Sequence, residues 1–238
     1  MWAAVNERLA LYRIEKSRGQ KVPEEILTKD YGGVVVSDFL SAYNRIGRRR
    51  QRCLVHLLRE MKDCRETDES PEYTWAHRKL ARILADARRL NDSRGKFAIW
   101  VFFRRVRRLK ARLFDFVARP YTNGNCRRLA KRLRRCYEEI LTFLEVPGLP
   151  WENNLAERMI RPNVLLRKVS FQNMSRRGAD AHQTLMSLVQ TLRLQDRDPV
   201  SFLKTAFLRH RQGIPAPYCI SLRPAKGLPM TRSRISIE

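Results

Sequence analysis

Short runs of apolar residues at the start of the chain give way to helical periodicity further along. Trp2 to Val5 is apolar enough for a strand, and Leu9 to Ile14 (LALYRI) reads as a second strand that ends at Lys16-Ser17-Arg18-Gly19. Pro23 opens a short helix through about Thr28, with Glu24 and Glu25 in its first turn, where the helix dipole favours them. After the turn at Asp30-Tyr31-Gly32-Gly33, the β-branched triplet Val34-Val35-Val36 has the composition of a strand buried on both faces. A helix is then expected over Phe39 to Asn44. Arg48-Arg49-Arg50 reads as a solvated basic run, and Cys53-Leu54-Val55-His56 ends a short strand and opens a helix toward Asp63.

From Ser70 to Val146 only helices are predicted. Ser70-Pro71 is a cap with proline at the first helical position, followed by a stripe of Trp75, Leu80, Ile83, Leu84 and Ala87. Phe97 to Val117 forms a long amphipathic helix with Trp100, Val101, Phe103, Val106, Leu109, Leu113 and Phe116 apolar, a stripe that reads as core. A third helix runs from about Asn125 to Leu144. Pro147 and Pro150 then lead into a helix start at Trp151 to Pro162 (WENNLAERMIRP), where Asn154 suits an N-cap and Glu157 the capping-box position three residues on. That reading also allows a Glu157–Arg161 pair. Pro162 limits this helix, and Asn163 to Phe171 reads as an irregular or extended link. Two more helices follow, one from about Arg176 to Leu194 with Leu185, Leu188, Val189 and Leu192 as its apolar side, the other from Asp198-Pro199 to about His210. His182 and His210 read as surface or packing residues, and the stretch after Gly213 as a poorly ordered tail.

Composition narrows the function. The 238 residues carry 49 Lys and Arg against 24 Asp and Glu, a net charge of +25, which exceeds what solubility requires and points to a polyanionic partner. Arg104, Arg105, Arg107 and Arg108 on one helix, and Arg127, Arg128, Lys131 and Arg132 on the next, form a basic face suited to lying along phosphates. No apolar run spans a bilayer and the N-terminus is no signal peptide. Five cysteines without framework spacing fit a reduced, cytoplasmic setting. A Cys53-x-x-His56 pair offers two zinc ligands, which Cys64 and His77 would complete only if the fold gathered them.

Asp38, just beyond a buried strand, suits either an N-cap or a metal ligand, and its residue type alone leaves both open. The segment Asn153-Asn154-x-Ala156-Glu157-Arg158-x-x-Arg161-Pro162 resembles the signature around the last acidic residue of DDE transposases of the insertion-sequence sixty-six family. VSDFLSAYN (Val36 to Asn44), QRCLVHLLRE (Gln51 to Glu60) and the stretch from Arg176 to about Arg209 are similar to that family in the same order, so the resemblance covers most of residues 2 to 211. It implies an α/β, helix-rich protein with a ribonuclease-H-like core and an inserted all-helical subdomain. The expected division is 1–63 and 150–211 for the core, 64–149 for the insertion and 212–238 for the tail.

The resemblance also implies a two-metal site for Mg2+ or Mn2+, with Asp38 and Glu157 as second and third carboxylates. Cys53, His56, Asn154, Arg158, Arg161 and Lys168 would support them. Transposon-end DNA is the implied partner, together with further copies of the chain and accessory transposition proteins. The family's first Asp belongs to a strand upstream of the segment matching Trp2 to Val5, and neither Glu7 nor Glu15 replaces it. The reading at this level is therefore a transposase core without its first strand, inactive alone, with the strand beside the gap unpaired on one side. A DNA-binding remnant without catalysis is the alternative.

Overall fold

A computed structural model describes residues 1–28, 30–170, 173–217, 219 and 234–237. The chain is mixed α/β and helix-rich, with a small five-stranded sheet in the order β2-β1-β5-β3-β4. These strands are β1 (Trp2–Val5), β2 (Ala10–Arg13), β3 (Val34–Ser37), β4 (Arg49–Arg52) and β5 (Arg234–Ile237). The chain divides into two compact units, the division falling inside β3.

The first unit holds Met1–Val35, Leu40–Arg48 and Asn153–Glu238. β1 is buried along its whole length and pairs antiparallel with β2, Trp2 opposite Arg13 and Val5 opposite Ala10. Asn6 closes the connection, its Oδ1 accepting from the amides of Arg8 and Leu9 at 2.8 Å each, the turn chemistry for which Asn is selected. Side chains alternate across the sheet. Trp2, Ala4, Val35 and Ile237 face one cluster with Val22, Leu27, Tyr43 and Ile46. Ala3, Val5, Ala10 and Tyr12 face another with Ala156. Helix α1 (Lys21–Ile26) serves the first cluster, and α7 (Asn154–Ser170) and α8 (Arg176–Leu194) serve the second.

Helix α8 does more than cover a face. Its Gln183, Ser187 and Thr191, one turn apart, accept from the amides of Ile14, Tyr12 and Ala10 at 2.8, 2.9 and 3.1 Å. The outer edge of β2 is thus closed by a polar side-chain ladder, which removes an edge open to pairing with another chain. This also explains why the apolar side expected of α8 is incomplete: Leu185 is exposed, while Gln190, Thr191 and Leu192 are buried. Replacing Thr191 by Val leaves the Ala10 amide and carbonyl without the hydroxyl that serves both. The expected loss is about 1–3 kcal/mol of unfolding free energy, measurable by urea denaturation.

Several expectations are corrected in this unit. α7 runs unbroken through Pro162 to Ser170, so Asn163 to Ser170 is helix rather than a link. Proline removes only the bond to the Arg158 carbonyl, and buried Asn163 is tied to α8 by His182, Nε2 to Oδ1 3.0 Å. Phe171 lies outside the described residues. Phe39 to Asn44 forms only a 3₁₀ turn, Ser41–Tyr43. Tyr43 is buried there edge-on to Trp2, ring centroids 5.7 Å apart. β1 is not unpaired on one side, because β5 pairs with it antiparallel. The expected poorly ordered tail falls largely on residues 218 and 220–233, outside the described residues, but 234–237 is a strand.

The second unit holds Val36–Phe39 and Arg49–Glu152. Its helices are α2 (Leu54–Thr67), α3 (Pro71–Asp92), α4 (Ile99–Ala118), α5 (Gly124–Arg135) and the short α6 (Tyr137–Ile140). Leu57, Met61, Leu80, Ile83, Leu84, Phe102, Leu113, Phe116 and Leu133 make its core. The long amphipathic helix is rotated at its start relative to the expected stripe. Phe102 is fully buried, whereas Trp100 and Phe103 are 63% and 44% exposed, flanked by arginines that stack on aromatic faces, Arg104 over Trp100 at 5.2 Å and Arg105 over Phe97 at 4.0 Å.

The expected third helix is interrupted at Cys136 and tightens to a 3₁₀ turn at Thr142–Leu144. β4 holds that 3₁₀ turn: Gln51 Oε1 takes the Phe143 amide at 2.9 Å and the Arg50 carbonyl takes the Thr142 hydroxyl at 2.7 Å. Nor are the arginines of this strand merely solvated. Arg49 pairs with Glu145 at 2.7 Å, Arg50 and Arg52 both with Glu139 at 2.8 and 2.6 Å, and Arg52 is buried.

A carboxylate cluster ties the starts of α3 and α5 together. Ser70 caps α3 and Asn123 caps α5. Asp68 accepts from the side chains of Asn123 and Asn125, and Glu72 from the Thr122 hydroxyl and amide and the Asn123 amide. Hydrogen bonds from Ser70, Asn125 and Asn123 hold Asp68 well below the usual carboxylate range, and those from Asn123 and Thr122 lower Glu72. Depressed folded-state values contribute stability above the unfolded value, 3.8 for Asp68, and lose it as pH falls through the folded value. Thermal stability of the wild type is therefore expected to fall on acidification below about pH 4, and the Asp68→Asn variant to lose part of that dependence.

Candidate active site

Asp38 sits in the second unit, directly after β3, half-buried. It caps no α-helix, since only the 3₁₀ turn follows. What places it is Arg52, which donates to the Asp38 carbonyl at 2.8 Å and the Ser37 hydroxyl at 3.3 Å while its Nε pairs with Glu139. The Ser37 hydroxyl also reaches the Asp38 carbonyl, at 3.1 Å. From the other side the Cys53 amide donates to the Ser37 carbonyl at 2.7 Å. The main chain at Asp38 is thus gripped by a buried guanidinium, leaving the carboxylate at the strand end. Nothing in the residue pattern marks Arg52 for this role, because it looks like one more arginine of a basic run.

Cys53 is fully buried and His56 half-buried at the start of α2, whose first amide, Leu54, donates to the Trp151 carbonyl at 2.9 Å. Arg88 stacks over the Trp151 ring at 4.1 Å. Among the described residues no group of three or more close ligands includes Cys64 or His77, so the two do not complete a zinc site around Cys53 and His56. His77 is instead a half-buried residue of α3, its imidazole pushed toward the neutral form by burial and by Arg65 and Arg78.

In the first unit, Glu157 lies in the first turn of α7, half-buried, and its amide bonds the Asn153 carbonyl at 3.2 Å. The residue before the helix is therefore Asn153, and Asn154 is the first helical residue rather than the cap. Asn153 is completely buried and its Nδ2 donates to the Ile237 carbonyl at 2.8 Å. Arg161 and Lys168 follow Glu157 at spacings of four and eleven, which puts all three along one side of the helix. Arg158, Arg161 and Lys168 are all exposed.

The basic residues divide into two groups. Arg104, Arg105, Arg107 and Arg108 on α4, and Arg127, Arg128 and Lys131 on α5, are exposed. Arg132 is half-buried, paired with Glu60 at 2.5 Å and stacked over Phe39 at 4.8 Å, so part of its charge is spent within the unit. Arg112 and Lys110 are similarly engaged, with Asp86 and with Glu138 and Glu145. No helix among the described residues is long and apolar enough to cross a membrane.

Three relatives, all from Sinorhizobium fredii (strain NBRC 101917 / NGR234), carry the curated names uncharacterized protein y4qI, y4jO and y4jD. The chain is 26% identical to y4qI over 91% of its own length and 43% of the relative's. With y4jO identity is 30% over 39% of the chain and 33% of the relative, and with y4jD 25% over 81% and 40%. The chain thus spans less than half the length of the curated relatives it matches. No solved structure matches it significantly. The family model described as "Transposase IS66 family" matches residues 1–181, a span that contains Asp38, Cys53, His56, the basic helices and Glu157. By that match the chain belongs to the IS66 family of transposases.

Proposed function

We propose that the chain provides the catalytic region for DNA transposition by metal-dependent strand cleavage and transfer, with Asp38 and Glu157 as two of three metal-binding carboxylates. The observation that carries this reading is the family match over residues 1–181, within which both carboxylates fall. The fold expected for this chemistry is a ribonuclease-H-like core with α2 to α6 as the bulk of a helical insertion. The β1–β2 hairpin, the buried β3 ending just before Asp38 and the helix with Glu157 in its first turn support it.

The donor chemistry fits a hard divalent cation. Asp38 and Glu157 are both half-buried carboxylates at the ends of regular elements, and carboxylate oxygen favours magnesium or manganese. Bound there, the metals would activate the attacking water or 3′-hydroxyl and stabilise the leaving oxygen. The protein's own residues supply the rest. Arg52 fixes the Asp38 main chain, and Arg161 and Lys168, on the Glu157 side of α7, meet the charge of the scissile phosphate. A complete metal set takes one carboxylate beyond these two. The exposed arginines of α4 and α5 hold the duplex by its phosphates, a salt-sensitive and sequence-independent contribution.

The test is a chimera. In a full-length, active family member, the segment matching residues 1–181 is replaced by that of this chain, and excision of the cognate element is counted in cells. Retained excision is the expected result. A chimera that folds and binds DNA but never excises would contradict the catalytic reading and leave the non-catalytic DNA-binding one.

A further inference from the structure

The middle of the sheet is filled from the far end of the chain. β5 lies between β1 and β3, antiparallel to β1, with Ala4 opposite Ile237 and Val5 opposite Ser236. The family match ends at residue 181, so this central strand comes from a segment that the family model does not cover. Its sequence, Arg-Ile-Ser-Ile, places both isoleucines on one face of the strand and the serine on the other. Ile235 and Ile237 join the cluster of Trp2, Ala4, Val35 and Tyr43. Buried Ser236 belongs by alternation to the opposite face, where the small Ala156 lets α7 approach.

Two features mark β5. Among the described residues its ladder with β1 comprises two residue pairs, whereas β1 and β2 share four. Its recognition rests on main-chain pairing, two isoleucines and the Asn153 side chain, whose Nδ2 holds the Ile237 carbonyl at 2.8 Å. Strand addition into a sheet uses this combination of backbone bonds and alternate side-chain pockets. The Asn153 carbonyl in turn accepts the Glu157 amide. Occupancy of the central position is thereby linked to the first turn of α7.

We propose that the space between β1 and β3 is a strand-acceptor site, and that residues 234–237 of the same chain are its separable occupant. The ligand class is an extended peptide running antiparallel to β1 with isoleucine at every second position. Asn153 acts as the positioning residue that couples the occupant to the start of the Glu157 helix. The inference does not rest on the transposition reading, and its readouts involve neither DNA nor metal.

The experiment uses the full chain with a protease site inserted after Lys226. After cleavage, a fluorescein-labelled peptide of residues 228–238 is added and anisotropy is followed. The expected result is saturable exchange, competed by unlabelled peptide and weakened at least tenfold by Ile237→Asp in the peptide. Asn153→Ala is expected to weaken binding about fivefold, the value of one hydrogen bond of ~1 kcal/mol, and to speed hydrogen exchange at the Glu157 amide. Equal binding of the Ile237→Asp peptide would overturn the proposal. So would failure of any peptide to enter a folded cleaved protein. Unfolding of the cleaved protein when the freed peptide is removed, without recovery on adding it back, would make β5 an integral strand and overturn it as well. As a second variant, a chain ending at residue 213 is expected to lose amide protection along β1 and regain it with the peptide. Undiminished protection in that variant would also sink the idea.

Discussion

Arg52→Met is expected to cost about 3 kcal/mol of unfolding free energy, the low end of what breaking a buried ion pair costs. Arg52 is only 3% exposed and Glu139 15%, with Nε and Oε2 2.6 Å apart. Removing the guanidinium leaves Glu139 with Arg50 at 2.8 Å, which moderates the loss. It also removes the guanidinium from the Ser37 hydroxyl and takes away one of two donors to the Asp38 carbonyl, which keeps the Ser37 hydroxyl at 3.1 Å; an acceptor left unmade adds a penalty. A loss of that size is a large share of the ~5–15 kcal/mol that holds an ordinary domain folded. Urea unfolding of the variant measures it. The double variant Arg52→Met/Glu139→Leu is expected to recover most of the loss, because burying an apolar pair is no worse than burying an ionic one. A single variant as stable as wild type would show that the grip on Asp38 comes from elsewhere.

The second large effect concerns the carboxylates. In the excision chimera, Asp38→Asn and Glu157→Gln are each expected to reduce excision by roughly 10³-fold or more, the scale of removing a core catalytic group. Duplex DNA binding at the same salt concentration should stay within about twofold, since phosphate contacts made by the exposed arginines carry it. Both substitutions keep shape and remove only charge and metal affinity, so circular dichroism and melting should remain near wild type. Excision at the parental level in the Glu157→Gln chimera would remove that residue from the chemistry.

How far these elements could be read in advance depended on how local their causes are. β1, β2 and β3 were legible because each is a short apolar run bounded by turn residues, and Ser70-Pro71 and Asp198-Pro199 marked helix starts by cap chemistry that needs no partner. Motifs carried Asp38 and Glu157 through the family resemblance, not through pattern alone. What was hidden was tertiary. The 3₁₀ turn at Thr142–Leu144 is held by Gln51 and Arg50, far away in sequence. The polar ladder Gln183-Ser187-Thr191 looks like an ordinary solvated helix side until β2 is laid against it. Pro162 suggested an end to α7, yet it removes a single main-chain bond, and buried Asn163 just beyond it is tied to α8 by His182. Arg52 and Asn153 lie in the family-like motifs, but their positioning roles show only once Asp38 and Ile237 are brought against them, and β5 sits in a stretch whose composition suggests disorder.

The central proposal is that Asp38 and Glu157 both serve as metal ligands. The most direct measurement is Mn2+ titration followed by nuclear magnetic resonance on the labelled chain, because paramagnetic broadening reports even weak binding residue by residue. The amide signals of Asp38 and Glu157 are both expected to broaden at the earliest additions, and Glu157→Gln is expected to abolish the effect at position 157. Broadening that spares one of the two residues, or that survives at position 157 in the Glu157→Gln variant, would contradict the proposal.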